Sequence, residues 1–290
     1  MIRFEGVYVA IVTPFTSSLE VDYARLKQHA DWLVNQGVHG IIPTGSVGEY
    51  AALLDDEREK VVEAVMDTVA GRIPVVVGSA APSTQKAVRW VTHAKQAGAA
   101  GVMALPPINY RPTKKEAYAH YEALSGVGLP IIAYNNPFDT AIDMTPDFLA
   151  ELSAIDNVVA VKEFSADVRR IYEILERSDL EVMAGVDDLS VEGIIAGATG
   201  WIGGLSNVMP KESVRLFELS REGKINEAME LYRRVLPLFR YDSTPRLVQA
   251  IKYAMGLAGM PVGETRPPRL PLENDEKLAV ERTFIQAQGS

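Results

Sequence analysis

The 290-residue sequence contains no cysteine. Disulfides, thiolate nucleophiles and cysteine-held zinc or iron–sulfur centres are thereby excluded, and the composition fits a reducing cytoplasm. Histidine is scarce: His29, His39, His93 and His120 stand far apart, and no H-x-x-x-H spacing sets two ligands on one helix face. No protein-bound catalytic metal is expected. Nowhere do apolar residues run on for the roughly 18–20 positions of a membrane span. Met1-Ile2-Arg3-Phe4-Glu5-Gly6 carries charge where a secretion signal has an unbroken apolar stretch, so a soluble, untargeted protein without membrane partners is expected. Basic residues are outnumbered, 29 Lys and Arg against 38 Asp and Glu, for a net charge of −9. With no basic stripe, nucleic acid is not an expected partner, whereas a few buried cations could still hold a small anionic substrate.

What is present is alternation. Short β-branched runs near 7–13, 39–43, 73–78, 101–105, 130–134, 158–162, 181–185 and 199–203 read as parallel strands. Helical periodicity fills the gaps near 22–36, 55–70, 84–97, 114–125, 145–154, 166–177 and 188–196. Asp22 as N-cap with Gly37 past the last turn, Ser83-Thr84 and Thr145-Pro146 supply helix ends. Eight strand–helix units predict a (β/α)8 TIM barrel. A doubly wound open sheet is disfavoured, because the first strand runs into Thr13-Pro14-Phe15-Thr16 and not into a G-x-G-x-x-G turn. After residue 210 only helical patterns remain, near 211–222, 224–238, 244–257 and 273–287. The expected organisation is a barrel over 1–222 and a C-terminal helical region over 223–290 packed on it.

Active sites of such barrels lie at the C-terminal strand ends. There the sequence places Pro43-Thr44-Gly45-Ser46-Val47-Gly48-Glu49, Tyr134-Asn135-Asn136-Pro137, Lys162-Glu163 and Gly203-Gly204-Leu205-Ser206-Asn207. Lys162 closes the apolar run Val158-Val159-Ala160-Val161. Desolvation there would release a neutral, nucleophilic amine, which Schiff-base chemistry requires; a lysine that merely lays its stem on the barrel is the plainer alternative. Tyr134 could carry protons to and from a carbinolamine. Glycines around Ser46 would let a hydroxyl and backbone N–H groups approach a carboxylate. Glu163 is expected on the opposite face of its strand by the period of two. Trp201 reads as a barrel-wall aromatic, and Asp187-Asp188 as a helix N-cap or a partner for a substrate hydroxyl.

Together, Gly45-Ser46-Val47-Gly48-Glu49, Tyr134-Asn135-Asn136-Pro137 and Val161-Lys162-Glu163 resemble the signatures of the dihydrodipicolinate synthase/N-acetylneuraminate lyase family of class I aldolases. The likeness runs from Val12-Thr13-Pro14-Phe15 to Arg269-Leu270-Pro271-Leu272. It implies an imine between Lys162 and a 2-oxo acid such as pyruvate, with Tyr134 as acid/base and Ser46 in the hydroxyl relay, and no cofactor. It further implies a homotetramer in which Tyr110, in Pro106-Pro107-Ile108-Asn109-Tyr110-Arg111-Pro112, reaches a neighbour's site. Gly45, Val47, Asp139, Gly203 and Gly204 are the expected substrate-binding positions.

Two departures concern the second substrate. Val47 stands where the family has threonine, removing a hydroxyl. Asp139 stands where dihydrodipicolinate synthases carry an anion-gripping arginine, and a carboxylate in a partly desolvated pocket disfavours an anion. A reaction other than dihydrodipicolinate synthesis is therefore expected. Tyr134-Asn135-Asn136-Pro137, Gly200-Trp201-Ile202-Gly203-Gly204-Leu205 and Thr265-Arg266-Pro267-Pro268-Arg269 are similar to a subgroup that deaminates hydroxyproline-derived pyrroline carboxylates. A sugar-acid aldolase or dehydratase would use the same core residues. On the residues alone, a pyridoxal phosphate enzyme with Gly203-Gly204 as phosphate cradle and a catalytically silent 2-oxo-acid-binding barrel stay open.

Overall fold

The computed structural model describes residues 3–108 and 110–289. Strands β1 (Gly6–Ala10), β2 (Gly40–Ile42), β3 (Val76–Gly78), β4 (Gly101–Ala104), β5 (Ile131–Asn135), β6 (Val158–Glu163), β7 (Glu181–Ala184) and β8 (Gly200–Gly203) are all parallel and hydrogen-bond in the order β2-β1-β8-β7-β6-β5-β4-β3. A parallel bridge between Ile41 and Val75 joins the two ends. The sheet thus closes into the expected (β/α)8 barrel. Its strands are almost wholly buried on both faces, as a sheet covered by helices requires.

Between the strands lie α1 (Tyr23–Asn35), α2 (Asp55–Val69), α3 (Thr84–Gln96), α4 (Lys114–Ser125), α5 (Pro146–Leu152), α6 (Arg169–Arg177) and α7 (Ser190–Ile195). Their ends follow local chemistry. Asp22 Oδ1 accepts the Arg25 N–H at 2.9 Å, Gly37 closes α1 at φ +88°, and Thr145 caps α5 with Pro146 in its first turn. α6 starts later than periodicity predicts, because Ala166 takes φ +62° and the Asp167 carboxylate caps Arg169 N–H at 3.1 Å. The helix expected over 188–196 is likewise divided into a 3₁₀ turn, Asp187–Leu189, followed by α7. β1 ends early because Val12 N–H leaves the ladder for the Asn207 side chain at 3.2 Å.

The chain continues through α8 (Pro210–Arg221), α9 (Ile225–Phe239), α10 (Leu247–Leu257) and α11 (Asn274–Gln288). One apolar core runs from the barrel into these helices, with Trp201 tilted against Phe239 at 5.6 Å. The turn Arg240–Ser243, between α9 and α10, rests on the Asp187–Leu189 turn: Asp187 N–H donates to Asp242 Oδ2 at 2.8 Å and Ser243 Oγ to Asp188 Oδ1 at 2.9 Å. The C-terminal helices therefore deliver side chains to the barrel mouth. Among the described residues no helix is long and apolar enough to cross a membrane.

Candidate active site

Register decides which side chains meet. Tyr134 on β5 pairs with Lys162 on β6, and the next pair is Asn135 with Glu163. Since side chains alternate along a strand, Tyr134 and Lys162 enter the barrel while Asn135 and Glu163 face the helices. There Asn135 Nδ2 donates to Glu163 Oε2 at 3.0 Å, so Glu163 lies on the outer face, as expected. Lys162 is 6 % exposed, and its Nζ sits 4.3 Å from the Tyr134 ring centroid and 5.4 Å from that of Phe164. Among the described residues Nζ has no ion pair within 4 Å and no hydrogen bond. Burial pulls its pKa below the lysine range, opposed by the carboxyl groups of Asp242, Asp187 and Asp139 to the extent that each is ionised. The neutral form of the amine is thereby favoured relative to an ordinary lysine, and the amine lies against an electron-rich ring.

Gly185 makes room for it. A Cβ at this position would lie 2.6 Å from the Glu163 carbonyl oxygen and 3.1 Å from Lys162 Cε. Gly185→Ala is expected to shift β6 and the lysine stem, costing about 1–3 kcal/mol of stability. An unchanged melting midpoint would contradict this.

Tyr134 is also buried, and its phenol is pushed well above the usual tyrosine range by burial and by the charge of Asp242. Its Oη accepts from Asn136 Nδ2 at 3.1 Å, and the same amide reaches Asp139 Oδ2 at 2.9 Å. Asn136 thus fixes the phenol in a network that sequence reading left unassigned. Asp139 is exposed at the mouth, not in the partly desolvated setting expected for it, so solvent screens its effect on an anion.

The loop after β2 supplies Ser46 and Val47 to the same cavity. Its left-handed residues are Thr44 and Glu49, both at φ +56°, and not the glycines beside Ser46. Tertiary bonds hold this backbone: Thr44 Oγ1 donates to Gly78 O at 2.9 Å and Thr13 Oγ1 to Gly48 O at 2.7 Å, while Glu49 meets Lys252 Nζ at 2.7 Å. Among the described residues, the backbone N–H groups of Ser46 and Val47 donate to no protein acceptor.

The cavity encloses about 430 Å³ and is lined by Lys162, Tyr134, Ser46, Val47, Asp139 and Gly204, among others. Gly45, Gly203 and Tyr110 do not line it; Tyr110 is 48 % exposed. Asp187 neither caps a helix with its side chain nor lines the cavity. Its buried carboxylate accepts from Trp201 Nε1 at 2.9 Å, Gly204 N at 3.1 Å and Leu205 N at 2.7 Å. These bonds occupy the N–H groups that a phosphate cradle at Gly203-Gly204 would need, and they put negative charge beside them. A Cβ on Gly203 would reach within 2.5 Å of Ser206 Oγ and 3.0 Å of Asp187 Oδ1, so this glycine serves packing.

Residues 3–287 match the profile of the Dihydrodipicolinate synthetase family. The chain belongs to that family. A 4-hydroxy-tetrahydrodipicolinate synthase from Syntrophobacter fumaroxidans is 36% identical over 292 residues, covering 99% of both chains. The crystal structure of dihydrodipicolinate synthase from Aquifex aeolicus superposes with a TM-score of 0.94 at 31% identity, covering 98% of each chain. That from Thermotoga maritima gives 0.93 at 31% identity, covering 98% of this chain and 99% of the other. As a dihydrodipicolinate synthetase family member the protein is an aldolase-type lyase that processes a small molecule.

Within this family member the main residue that sequence reading missed is Asp242. It is 7 % exposed, lines the Lys162 cavity and comes from the turn between α9 and α10. Arg240-Tyr241-Asp242-Ser243-Thr244-Pro245 has the composition of any polar turn. Only the docking of that turn on Asp187 turns it into cavity wall.

Proposed function

We propose that this lyase forms a Schiff base between Lys162 and a small 2-oxo acid bearing one carboxylate, and that its reaction is not dihydrodipicolinate synthesis. The observation that carries the first part is a buried lysine amine without an ion-pair partner, open to a cavity and set against Tyr134. In this reading the unengaged Ser46 and Val47 N–H groups and the Ser46 hydroxyl hold the substrate carboxylate. Lys162 Nζ adds to the keto carbon. Tyr134, which keeps its proton, gives it to the carbinolamine oxygen, which departs as water. The resulting imine accepts electrons from a carbanion at C3, so C–C cleavage or elimination can follow.

The second part rests on the wall opposite. Asp242 and Asp139 face the space beyond the imine, and its one guanidinium, Arg269, lies 3.9 Å from Glu49. With its one guanidinium held near Glu49, this wall suits a hydroxyl more than a second carboxylate. This favours the deaminase of a hydroxyproline-derived pyrroline carboxylate as the second reading, the substrate being a cyclic imine with one carboxylate. Sugar-acid aldolases and dehydratases share the same demands. Because Asp139 is exposed, Asp139→Arg is expected to lower KM for an anionic aldehyde co-substrate by only about five-fold; steady-state kinetics at low salt check this.

Intact mass after borohydride reduction with pyruvate, and separately with a pyrroline carboxylate, tests the reading. A reduced adduct mapped to Lys162 is expected. Calorimetric binding with neither adduct nor turnover would instead favour a silent 2-oxo-acid-binding barrel. We also propose a homotetramer in which the half-exposed Tyr110 serves a neighbour's site; sedimentation as a monomer would sink that proposal.

A further inference from the structure

Asp242 is a buried carboxyl group with no cation of its own. Among the described residues neither it nor Asp187 has an ion pair within 4 Å, although uncompensated buried carboxylates are costly. The two acids are treated differently by their surroundings. Asp187 accepts hydrogen bonds from Trp201, Gly204 and Leu205, whereas Asp242 accepts from the Asp187 N–H alone, through Oδ2. Its other oxygen, Oδ1, accepts nothing from a described residue and lies 3.6 Å from where a Cβ of Gly204 would stand. Gly204, Asp242, Lys162 and Tyr134 line one cavity. Charged and titratable groups bear on Asp242 from each neighbouring element: Asp187 and Asp188 after β7, Lys162 on β6 and Tyr134 on β5.

The donors go to Asp187, and Asp242, beside it, desolvated and with Oδ1 unbonded among the described residues, is the better placed of the two to carry a proton; burial and the Asp187 charge push its carboxyl above the usual carboxylate range. An acid in this cavity, distinct from Tyr134, has a limited set of uses. An imine at C2 acidifies C3 and makes a substituent on C4 able to leave. Cleavage of C3–C4 would need a base at a C4 hydroxyl; elimination needs an acid.

We propose that Asp242 is a catalytic acid that protonates a hydroxyl leaving from C4, so that the substrate is a 4-hydroxy-2-oxo acid or its cyclic imine. This rests on the Lys162 reading above. Tyr134, left as phenolate when the carbinolamine loses water, takes the C3 proton. The C3 electron pair forms C3=C4 while the C4–O bond breaks, and the oxygen leaves as water with the Asp242 proton. Water then hydrolyses the conjugated iminium, returning the Lys162 amine and the Asp242 proton and releasing a 2-oxo-3-enoic acid. One water is lost overall, with no oxidant or reductant.

The test uses the full chain, 4-hydroxy-2-oxopentanoate as probe, and Asp242→Asn, which keeps an oxygen for the Asp187 N–H. Wild type is expected to form 2-oxo-3-pentenoate, followed by ultraviolet absorbance and NMR. Asp242→Asn is expected to lose about 10²-fold or more in kcat while pyruvate trapping on Lys162 stays within a few-fold. Formation of pyruvate and acetaldehyde, no turnover of the probe, or undiminished elimination by Asp242→Asn would overturn the proposal. So would trapping and elimination falling together, which marks Asp242 as merely setting the field at Lys162. If wild type forms no adduct with either pyruvate or the probe, the Lys162 reading itself fails and takes this one with it. Should melting show Asp242→Asn to be unfolded, Asp242→Ser carries the same comparison.

Discussion

Lys162→Ala is expected to lower turnover by on the order of 10⁴-fold or more, because it removes the atom proposed to form the covalent intermediate and leaves only binding and polarisation. The protein should still fold. Lys162 makes no ion pair or hydrogen bond among the described residues, so its loss orphans no protein partner; if anything it relieves the cost of a buried amine. The expected signature is an intact melting transition, no borohydride adduct with pyruvate, and no activity. The pH dependence of trapping in wild type has a definite sign. Only the neutral amine attacks, so the rate rises with pH through the pKa of Lys162 and then levels. Since burial lowers that pKa, levelling is expected below the ordinary lysine value of about 10.4. Full turnover by Lys162→Ala, or an adduct on another lysine, would remove the foundation of the proposed chemistry.

Lys252→Met is expected to produce the largest loss of stability. Lys252 Nζ and Glu49 Oε1 are 2.7 Å apart with side chains 3% and 0% exposed, Nζ donates to Glu264 O at 3.1 Å, and it sits 4.2 Å over the Phe15 ring. Burial lowers the Lys252 pKa while the Glu49 carboxylate pulls it back up. Removing the lysine strands the Glu49 carboxylate on the Arg266 N–H at 3.0 Å and a guanidinium 3.9 Å away. Breaking a buried pair from one side costs about 3–5 kcal/mol, which for a chain of this length lowers Tm by on the order of 10 °C. Function should fall as well, because Glu49 at φ +56° ends the loop that carries Ser46 and Val47. KM for the 2-oxo acid is expected to rise more than kcat falls. The double variant Glu49→Gln with Lys252→Met should recover part of the stability, since no fully buried carboxylate is then left without its lysine and the Arg269 guanidinium, a third exposed, is partly solvated. A melting midpoint unmoved by Lys252→Met would show that the pair contributes nothing.

The barrel and its central pair were legible in the sequence because their signals are local. A parallel strand covered on both sides reads as a short β-branched run, and a rim residue is simply the one that ends it. This placed Lys162 and Tyr134 at strand ends, where the resemblance to a family and not the residues alone singled them out, and the strand period of two put Glu163 on the outer face. Helix starts at Asp22 and Thr145 were equally local, being set by side chains within three residues of the cap. Where a single backbone angle intervened, as at Ala166, periodicity overran the helix start.

The cavity wall was not legible, because it is made by residues far apart in the chain. Asp242 is an ordinary turn residue until α9 and α10 fold back and the Asp187 N–H takes hold of it. Asp187 looked like a cap from its neighbours; the indole of Trp201 and the N–H groups of Gly204 and Leu205 decided otherwise. Asp139 lines the cavity, as a substrate-binding position should, but stands exposed where a partly desolvated setting was expected. Sequence by itself determined the strand count and the barrel, and placed Lys162 and Tyr134 at strand ends, since these depend on period along the chain; the register that sets the two side by side came with the tertiary structure. Which carboxyl is buried and which is solvated was decided only by the tertiary structure, because burial and hydrogen-bond supply belong to the packed surroundings and not to the residue.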